Sequence, residues 1–580
     1  MKRFWNYVVL AVVALGMASC VQDLNTTPID KHSTTGFNQD ALFTKIYATL
    51  ATTGQQGPAG SADVSGADEG VSGFYRVMWE LNEFPTDEGW WIWGDPGVGE
   101  ARTMEWNGDN ALVKMLYDRF IIVIMYCNHF IYNAALDVSD AKGQQQLAEV
   151  RFIRALNYWY MLDMFKYSPY LDEQKKQEMT LKGQTYYPEF KSRPELYDWL
   201  QRELRVLVGD TIDAAGEYPV QVELPDNRLQ LYRIDKTAAW LLLARLYLNA
   251  EVYTGTPQWA KAKDAADQAI SGPYSLYTNE KMCPDGTRFS AYQQLFMGDN
   301  DVNGAQNEAV LLIYQDGNYC QSYCGSPFVI ASNRDVGMTP WGCSMSWKCF
   351  RSSPELVYKF VNPNAAESMK FNEYEMPIHA GDDRAIFCSY VEGNTNKWKL
   401  TGGATSDFYA SWACPKFTAV YSTADSLGQV SGSHSEWADT DIPFMRIAEA
   451  YLTKAEAMFR MGDVSGAKTL IDNSIRARAK AVPLDNLTEA KLCDEWCREF
   501  WGEGRRRTDL IRFNRFAGPQ ADEHSYQWEG RAGATTYKSM EEKWNWFPIP
   551  SDDKRVNPNF KTQVLATSEL EGGDGYAYVQ

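Results

Sequence analysis

The chain has 580 residues, 45% of them apolar, with 56 basic against 75 acidic side chains and a net charge of -19. That composition supports a sizeable core, and the length suits several domains or one large helical unit with insertions. A surface so acidic repels phosphate backbones and anionic lipid, which excludes nucleic-acid binding and polybasic membrane docking.

The first nineteen residues read as a signal peptide. Lys2 and Arg3 form a positive start, and Tyr7 to Ala18 is an apolar run too short to span a bilayer, which takes roughly 20 residues. Met17-Ala18-Ser19-Cys20 ends the run. It resembles a bacterial lipobox, in which Cys20 is acylated and becomes the mature N-terminus; the alternative is an ordinary secretory signal with a chance cysteine. Residues 20–36 then form a polar, lipidated tether. No later segment is long and apolar enough to cross a membrane, so the chain is expected to be held by lipid alone.

Helical periodicity dominates residues 37–270. Ala111 to Leu136, Leu147 to Phe165 and Arg193 to Val208 each carry an apolar face at helical spacing. Gly54 to Asn110 reads instead as an irregular loop holding Trp79, Trp90, Trp91, Trp93 and Trp106. Thr237–Ile270 and Arg446–Lys480 each read as helix-turn-helix units of about 34 residues, the tetratricopeptide period. Alanines at the helix contacts of both units permit close packing. Between them, residues 271–441 are rich in Gly, Pro, Asn, Ser and aromatics, a loop-rich insertion with short strands or 3-10 turns. Residues 442–580 close the chain as a second helical region. The expected fold is mostly α, with tetratricopeptide-like repeats carrying a large irregular face. Long loops on a rigid scaffold are where binding usually sits.

Ten cysteines follow Cys20. Cys320/Cys324 and Cys343/Cys349 are candidate loop bridges, while Cys493 and Cys497, one helical turn apart, bridge poorly. Most of the ten read as buried thiols, and the absence of CxxC spacing argues against structural zinc.

Several stretches resemble the SusD/RagB family of Bacteroidetes outer-membrane lipoproteins. They are Asp441-Ile442-Pro443-Phe444-Met445-Arg446, Ala455-Glu456-Ala457, Arg498-Glu499-Phe500-Trp501-Gly502-Glu503-Gly504-Arg505-Arg506, Phe547-Pro548-Ile549-Pro550 and Asn557-Pro558-Asn559. Earlier in the chain, Glu83-Phe84-Pro85-Thr86-Asp87-Glu88, Glu149 to Leu156 and Arg384 agree with the same pattern. The resemblance implies a non-enzymatic protein on the cell exterior that captures carbohydrate and caps a SusC-like TonB-dependent transporter. Leu81 to Gly99 and Asp299 to Trp347 look closest to the starch-binding founder of the family, which implies starch or maltooligosaccharide as ligand. Another glycan, or a peptide nutrient, is the alternative.

Sugar rings offer CH faces to aromatic side chains and hydroxyl edges to charged or amide groups. The resemblance favours Asp68, Arg76, Trp91, Trp93, Tyr323 and Trp347 as the glycan site, with Trp341 in place of or beside Trp347; Tyr314 and Tyr319 are further aromatics of the same stretch. For any single tryptophan the competing reading is core packing. Asp299-Asn300-Asp301-Val302-Asn303-Gly304 has the start of a calcium loop, with Asp299, Asp301 and Asn303 as side-chain ligands and Ala305 giving a carbonyl. The glutamate expected at position 12 is Val310 instead. Glu499 and Glu503 sit four apart among arginines, the wrong arrangement for two glycosidic carboxylates facing each other across a bond. They read as a structural ion-pair network, and a lipid-anchored glycoside hydrolase is the disfavoured rival.

Overall fold

The computed structural model describes residues 37–55, 61–66, 68–134, 140–210, 221–334, 342–361, 381–388, 412–425, 432–518 and 541–565. The expectations placed on Cys20, on the tether and on Trp341 lie outside the described residues. About half of the chain is helical, and its sheets are small.

The helical base forms from amphipathic segments with clear start signals. Helix α1 (Gln39–Ala51) is capped by the Asn38 side chain. Helix α2 (Phe74–Glu83) leads to strand β1 (Gly89–Trp91). Helices α3 (Ala111–Ala134), α4 (Ala141–Met164, capped by Asp140) and α5 (Arg193–Leu207, opened by a Ser192/Glu195 capping box) follow. The first repeat unit resolves into α6 (Lys236–Leu248, capped by Asp235) and α7 (Trp259–Ile270). Then come strand β2 (Ala309–Ile313), helix α8 (Ser326–Asn333) and strands β3 (Phe350–Ser352) and β4 (Ile442–Arg446). The second repeat unit is α9 (Ala448–Arg460) with α10 (Val464–Ile471), and α11 (Glu489–Phe500) and α12 (Arg506–Arg512) complete the elements that matter for the site.

Successive helices pack as neighbours: α3 on α4, α4 on α5, α5 on α6, α6 on α7, α7 on α9 and α9 on α10. Ala262, Ala265, Ala266 and Ala269 of α7 are buried, as are Ala448, Ala450, Ala455 and Ala457 of α9, so small side chains do let these backbones approach. Antiparallel pairs staple the irregular face to this base. β1 pairs with β3 through Gly89↔Ser352, Trp90↔Arg351 and Trp91↔Phe350, and β2 pairs with β4 across a bulged register.

Two expectations are corrected. The stretch 54–110 is not one loop, because it contains α2, in which all ten residues are buried, Arg76, Glu80 and Glu83 included. A helix covered on every side has no polar stripe, so it lacks the periodicity that betrays an amphipathic helix. The loop bridges Cys320/Cys324 and Cys343/Cys349 are not formed: all ten described cysteines are buried and none is in a disulfide.

The arginine-rich segment forms a buried charge lattice. Arg446 reaches Glu308 at 2.8 Å, Glu499 at 2.9 Å and Glu503 at 2.7 Å, and all but Glu503 are sealed from solvent. Arg478 pairs with the same Glu308 and Glu499, and Arg384 joins Glu495 at 2.9 Å. Burial opposes ionisation of Glu499, but Arg478, Arg446 and Arg384 together hold its carboxyl at about 2. With every carboxylate oxygen matched to a cation, this is a structural network, as its spacing suggests. Beside it, residues 83–88 are tied to residues 502–506. Arg506 clasps Asp87 through two hydrogen bonds of 2.6 and 2.8 Å, and the carboxylates of Glu83 and Glu88 accept from the Gly504 and Gly502 amides. The chain entering β1 is therefore fixed before it reaches the tryptophans.

Candidate functional site

The β1–β3 pairing decides where the aromatic residues meet. Trp93 follows β1 by two residues and Trp347 precedes β3 by three, so the antiparallel register brings both to one end of the ribbon. An Ile92 N–H to Cys349 carbonyl bond of 2.8 Å continues the pairing beyond the strands. The Trp93 and Trp347 rings lie 6.3 Å apart, inclined at 37°. Trp347 then meets Tyr323 at 5.0 Å and 57°, and Tyr323 meets Trp437 at 4.4 Å and 41°. The four rings form a curved row. Trp93 is 37% exposed, Tyr323 and Trp347 are half-buried, and Trp437 is covered.

Tyr323 is placed by close backbone approach. Its N–H donates to Glu69 at 2.7 Å, a carboxylate that also takes the Ser322 hydroxyl. A side chain at Gly70, where φ is +92°, would stand 2.3 Å from the Tyr323 carbonyl carbon, and one at Gly73 would stand 2.0 Å from the Cys324 Cβ. Only glycine fits at these two points. They press the 68–73 segment, and Asp68 with it, against the Tyr323 loop. Asp68 is exposed and lies 3.7 Å from the Arg76 guanidinium.

Trp91 and Arg76 form the floor beneath the row. Trp91 is 1% exposed and stacks on Phe328 of α8 at 5.4 Å, while its indole N–H donates to Asp95 at 2.9 Å. Trp91 thus has no free face for a sugar, a correction to the expected site. The strand ends at Trp91 and the chain turns, so Trp93 leaves the core although it is only two positions on. Arg76 is likewise buried, with its guanidinium 4.2 Å from the Phe328 ring and 3.0 Å from Glu80. Burial outweighs that arginine's pull and raises the Glu80 carboxyl to about 7.

Other aromatics fall outside the row. Tyr314 meets Tyr232 edge-on at 5.0 Å, and Tyr319 stands free at 87% exposure. Sequence reasoning missed Glu436 and Trp437. The Tyr323 hydroxyl donates to Glu436 at 2.7 Å. An acid–tryptophan pair inside a Gly- and Ser-rich run was the available signal. The row forms a shelf that opens to solvent at Trp93. A separate groove of about 640 Å³, lined by Met115, Ile121, Ile122 and Met125, lies along α3.

The expected calcium loop folds as a tight turn. Both Asp299 oxygens accept from Ser422, at 2.8 and 2.7 Å, and Asn303 accepts from the Ala305 amide at 2.9 Å. Val310, at position 12, is buried in β2. Among the described residues no three His, Cys, Asp or Glu side chains converge as a metal centre. An ion would rest on the mixed set of two carboxylates, one amide and one carbonyl. The surroundings favour positive charge. Burial, with Asp299 and Asp439 adding, raises the Asp301 carboxyl, and one oxygen of buried Asp441 is left without a hydrogen-bond partner.

A model described as the SusD family matches residues 314–565. The starch-binding protein SusD of Bacteroides thetaiotaomicron is 35% identical over 586 aligned positions, which cover 96% of this chain and 98% of that protein. Among solved structures, a SusD-like carbohydrate binding protein of Bacteroides fragilis superposes with a TM-score of 0.61 at 17% identity, over 90% of this chain and 98% of that one. The surface glycan-binding protein A of Bacteroides uniformis gives 0.60 at 17% identity, over 90% and 98%. A structure solved with a xylogluco-oligosaccharide gives 0.60 at 16% identity, over 89% and 97%. Near-complete alignment at that identity, together with the matched model, means that this chain belongs to the SusD family.

Proposed function

We infer that this protein is a lipid-anchored glycan binder on the outer face of the outer membrane. It captures an α-glucan, starch or maltooligosaccharide, for a SusC-like TonB-dependent transporter. The shelf of Trp93, Trp347 and Tyr323 carries the reading. Its successive ring planes turn by 37° and 57°. A curved α-linked chain can lay consecutive pyranose faces on such a row, whereas a flat β-1,4 ribbon calls for coplanar rings. Asp68 and Glu436 supply edge-on acceptors for hydroxyl groups. Arg76 acts from below by holding Asp68. The starch-binding name of the relative from Bacteroides thetaiotaomicron supports the same ligand. Cys20 carries the lipid. No catalysis is assigned, because Glu499 and Glu503 both serve Arg446 rather than a bond to be cleaved.

Affinity electrophoresis through gels containing starch, pullulan or a β-glucan tests the ligand, with reducing-end release measured in parallel. Starch or pullulan should retard the protein and release nothing. Retardation by the β-glucan alone, or by no polysaccharide, sinks the α-glucan reading, and release of reducing ends revives the hydrolase.

Calcium belongs to the same proposal as a structural ion. Asp299, Asp301, Asn303 and the Ala305 carbonyl would hold it, and its charge would relieve the repulsion at Asp301. Chelation with EDTA should lower Tm by several degrees, with recovery on adding Ca2+ but not Mg2+. An unchanged Tm removes the ion from the account.

A further inference from the structure

The shelf's third wall hangs on one imidazole. Glu436 and Trp437 lie on a turn whose central amides both point at His434: the Glu436 N–H donates to His434 Nδ1 at 3.1 Å and the Trp437 N–H at 3.3 Å. The turn's flanks are tied elsewhere. The Ser435 carbonyl accepts from Ser344 N and Oγ at 2.7 and 2.8 Å. Asp439 accepts from Gly317 N at 2.7 Å and from the Tyr421 hydroxyl at 2.6 Å. His434 itself presses on the loop that leads to Tyr323, since a Cβ at Gly317 would stand 2.8 Å from the His434 Cβ. The ring therefore orients the two groups that meet Tyr323, one at its hydroxyl and one at its face.

We propose that His434 is a positioning residue for the glycan shelf and makes binding sensitive to acid. This rests on the reading of the shelf as the glycan site. Nδ1 can accept only in the neutral ring with its hydrogen on Nε2. In the charged ring Nδ1 also carries a hydrogen and becomes a donor facing two donors. The turn loses its internal acceptor, Glu436 and Trp437 are released, and Tyr323 loses both neighbours. The sign follows: affinity is full where the ring is neutral and falls as the pH drops.

The ionisable groups around the ring do not reverse this. On its own turn they are Glu436 and Asp439. Asp316 neighbours the packed Gly317, Cys343 neighbours Ser344, and the Tyr323 and Tyr421 hydroxyls meet the two carboxylates. Glu436 is engaged by the Tyr323 hydroxyl, and Asp439 by Ser433, Tyr421 and Gly317.

Calorimetric titration with maltoheptaose at pH 7.5, 6.5 and 5.5 tests the idea on the wild type, His434→Asn and His434→Ala. The wild type should lose affinity from pH 7.5 to pH 5.5, because only the neutral ring offers an acceptor at Nδ1. In His434→Asn an amide oxygen accepts from the same two N–H groups at every pH, so affinity should stay near the wild-type value with a flat profile. His434→Ala should bind weakly throughout. A flat wild-type profile, or an Asn variant that keeps the wild-type slope, overturns the proposal, and the wild-type arm stands even if a variant fails to fold. A wild type that binds no glycan at pH 7.5 strikes the shelf reading instead.

Discussion

Trp93, Trp347 and Tyr323 touch one another and the solvent, and each is held by backbone that other residues fix. Glu499, Arg446 and Glu308 are sealed from solvent and are fixed chiefly by one another. In the shelf, contact area faces outward and remains unspent until a ligand arrives. In the lattice every charge was desolvated on folding, and each partner's presence makes the others tolerable. A shelf ring can thus be removed at the cost of binding, while a lattice charge cannot be removed without stranding its partners. On the proposed site, function and fold are carried by different side chains, even where they are near neighbours in sequence.

The lattice should give the largest effect. Glu499→Ala leaves Arg446, Arg478 and Arg384 sharing fewer carboxylates in a sealed interior, and removal of one partner from a buried pair costs about 3–5 kcal/mol. Thermal and urea unfolding should both report the loss. A variant as stable as the wild type would mean that water reaches the lattice, and the contrast drawn here would fail.

Trp91 sharpens the same contrast from inside the site. It was expected beside Trp93 in the binding surface, yet its indole is sealed under Phe328. Trp91→Ala opens a cavity in the floor, worth about 3 kcal/mol at the lower end for large aromatic deletions. Glycan affinity should fall too, because β1 and β3 would no longer set the spacing of Trp93 and Trp347. Unchanged stability would show that the floor is loose and that the shelf is positioned by something else.

How much of this was legible in the sequence follows the same division. The helical pairs could be read because α7 and α9 each keep alanines on one face and end at Gly-containing turns. Helix α2 could not, since its charged residues find partners inside: Arg76 lies on Glu80, and Glu83 on the Gly504 amide, 421 positions away. Trp93, Tyr323 and Trp347 do stand in one neighbourhood, the grouping that the family resemblance implied. Depth was not readable, because burial of Trp91 depends on the long-range β1–β3 pairing, whose regular register ends at Trp91↔Phe350. Trp437 escaped because its ring partner is Tyr323, and no local pattern marks a contact across that span.

Trp93→Ala should give the smallest effect and the most diagnostic one. The ring is 37% exposed, touches Trp91 edge-on at 6.2 Å and Trp347 at 6.3 Å, and fills no enclosed space. Its removal should leave Tm within the error of the wild type, because an exposed aromatic contributes little to the packed state. Affinity for maltoheptaose should drop about tenfold, equivalent to about 1.4 kcal/mol, the share of one stacked pyranose face. Trp93→Phe should recover part of that loss, since a smaller flat ring still covers part of the sugar. A stability loss matching that of Trp91→Ala would place Trp93 among the structural residues, and the shelf would shrink to Trp347 and Tyr323. With affinity lost and stability kept, two tryptophans separated by a single isoleucine would be doing opposite jobs, because one lies inside the β1–β3 ribbon and the other lies just past its end.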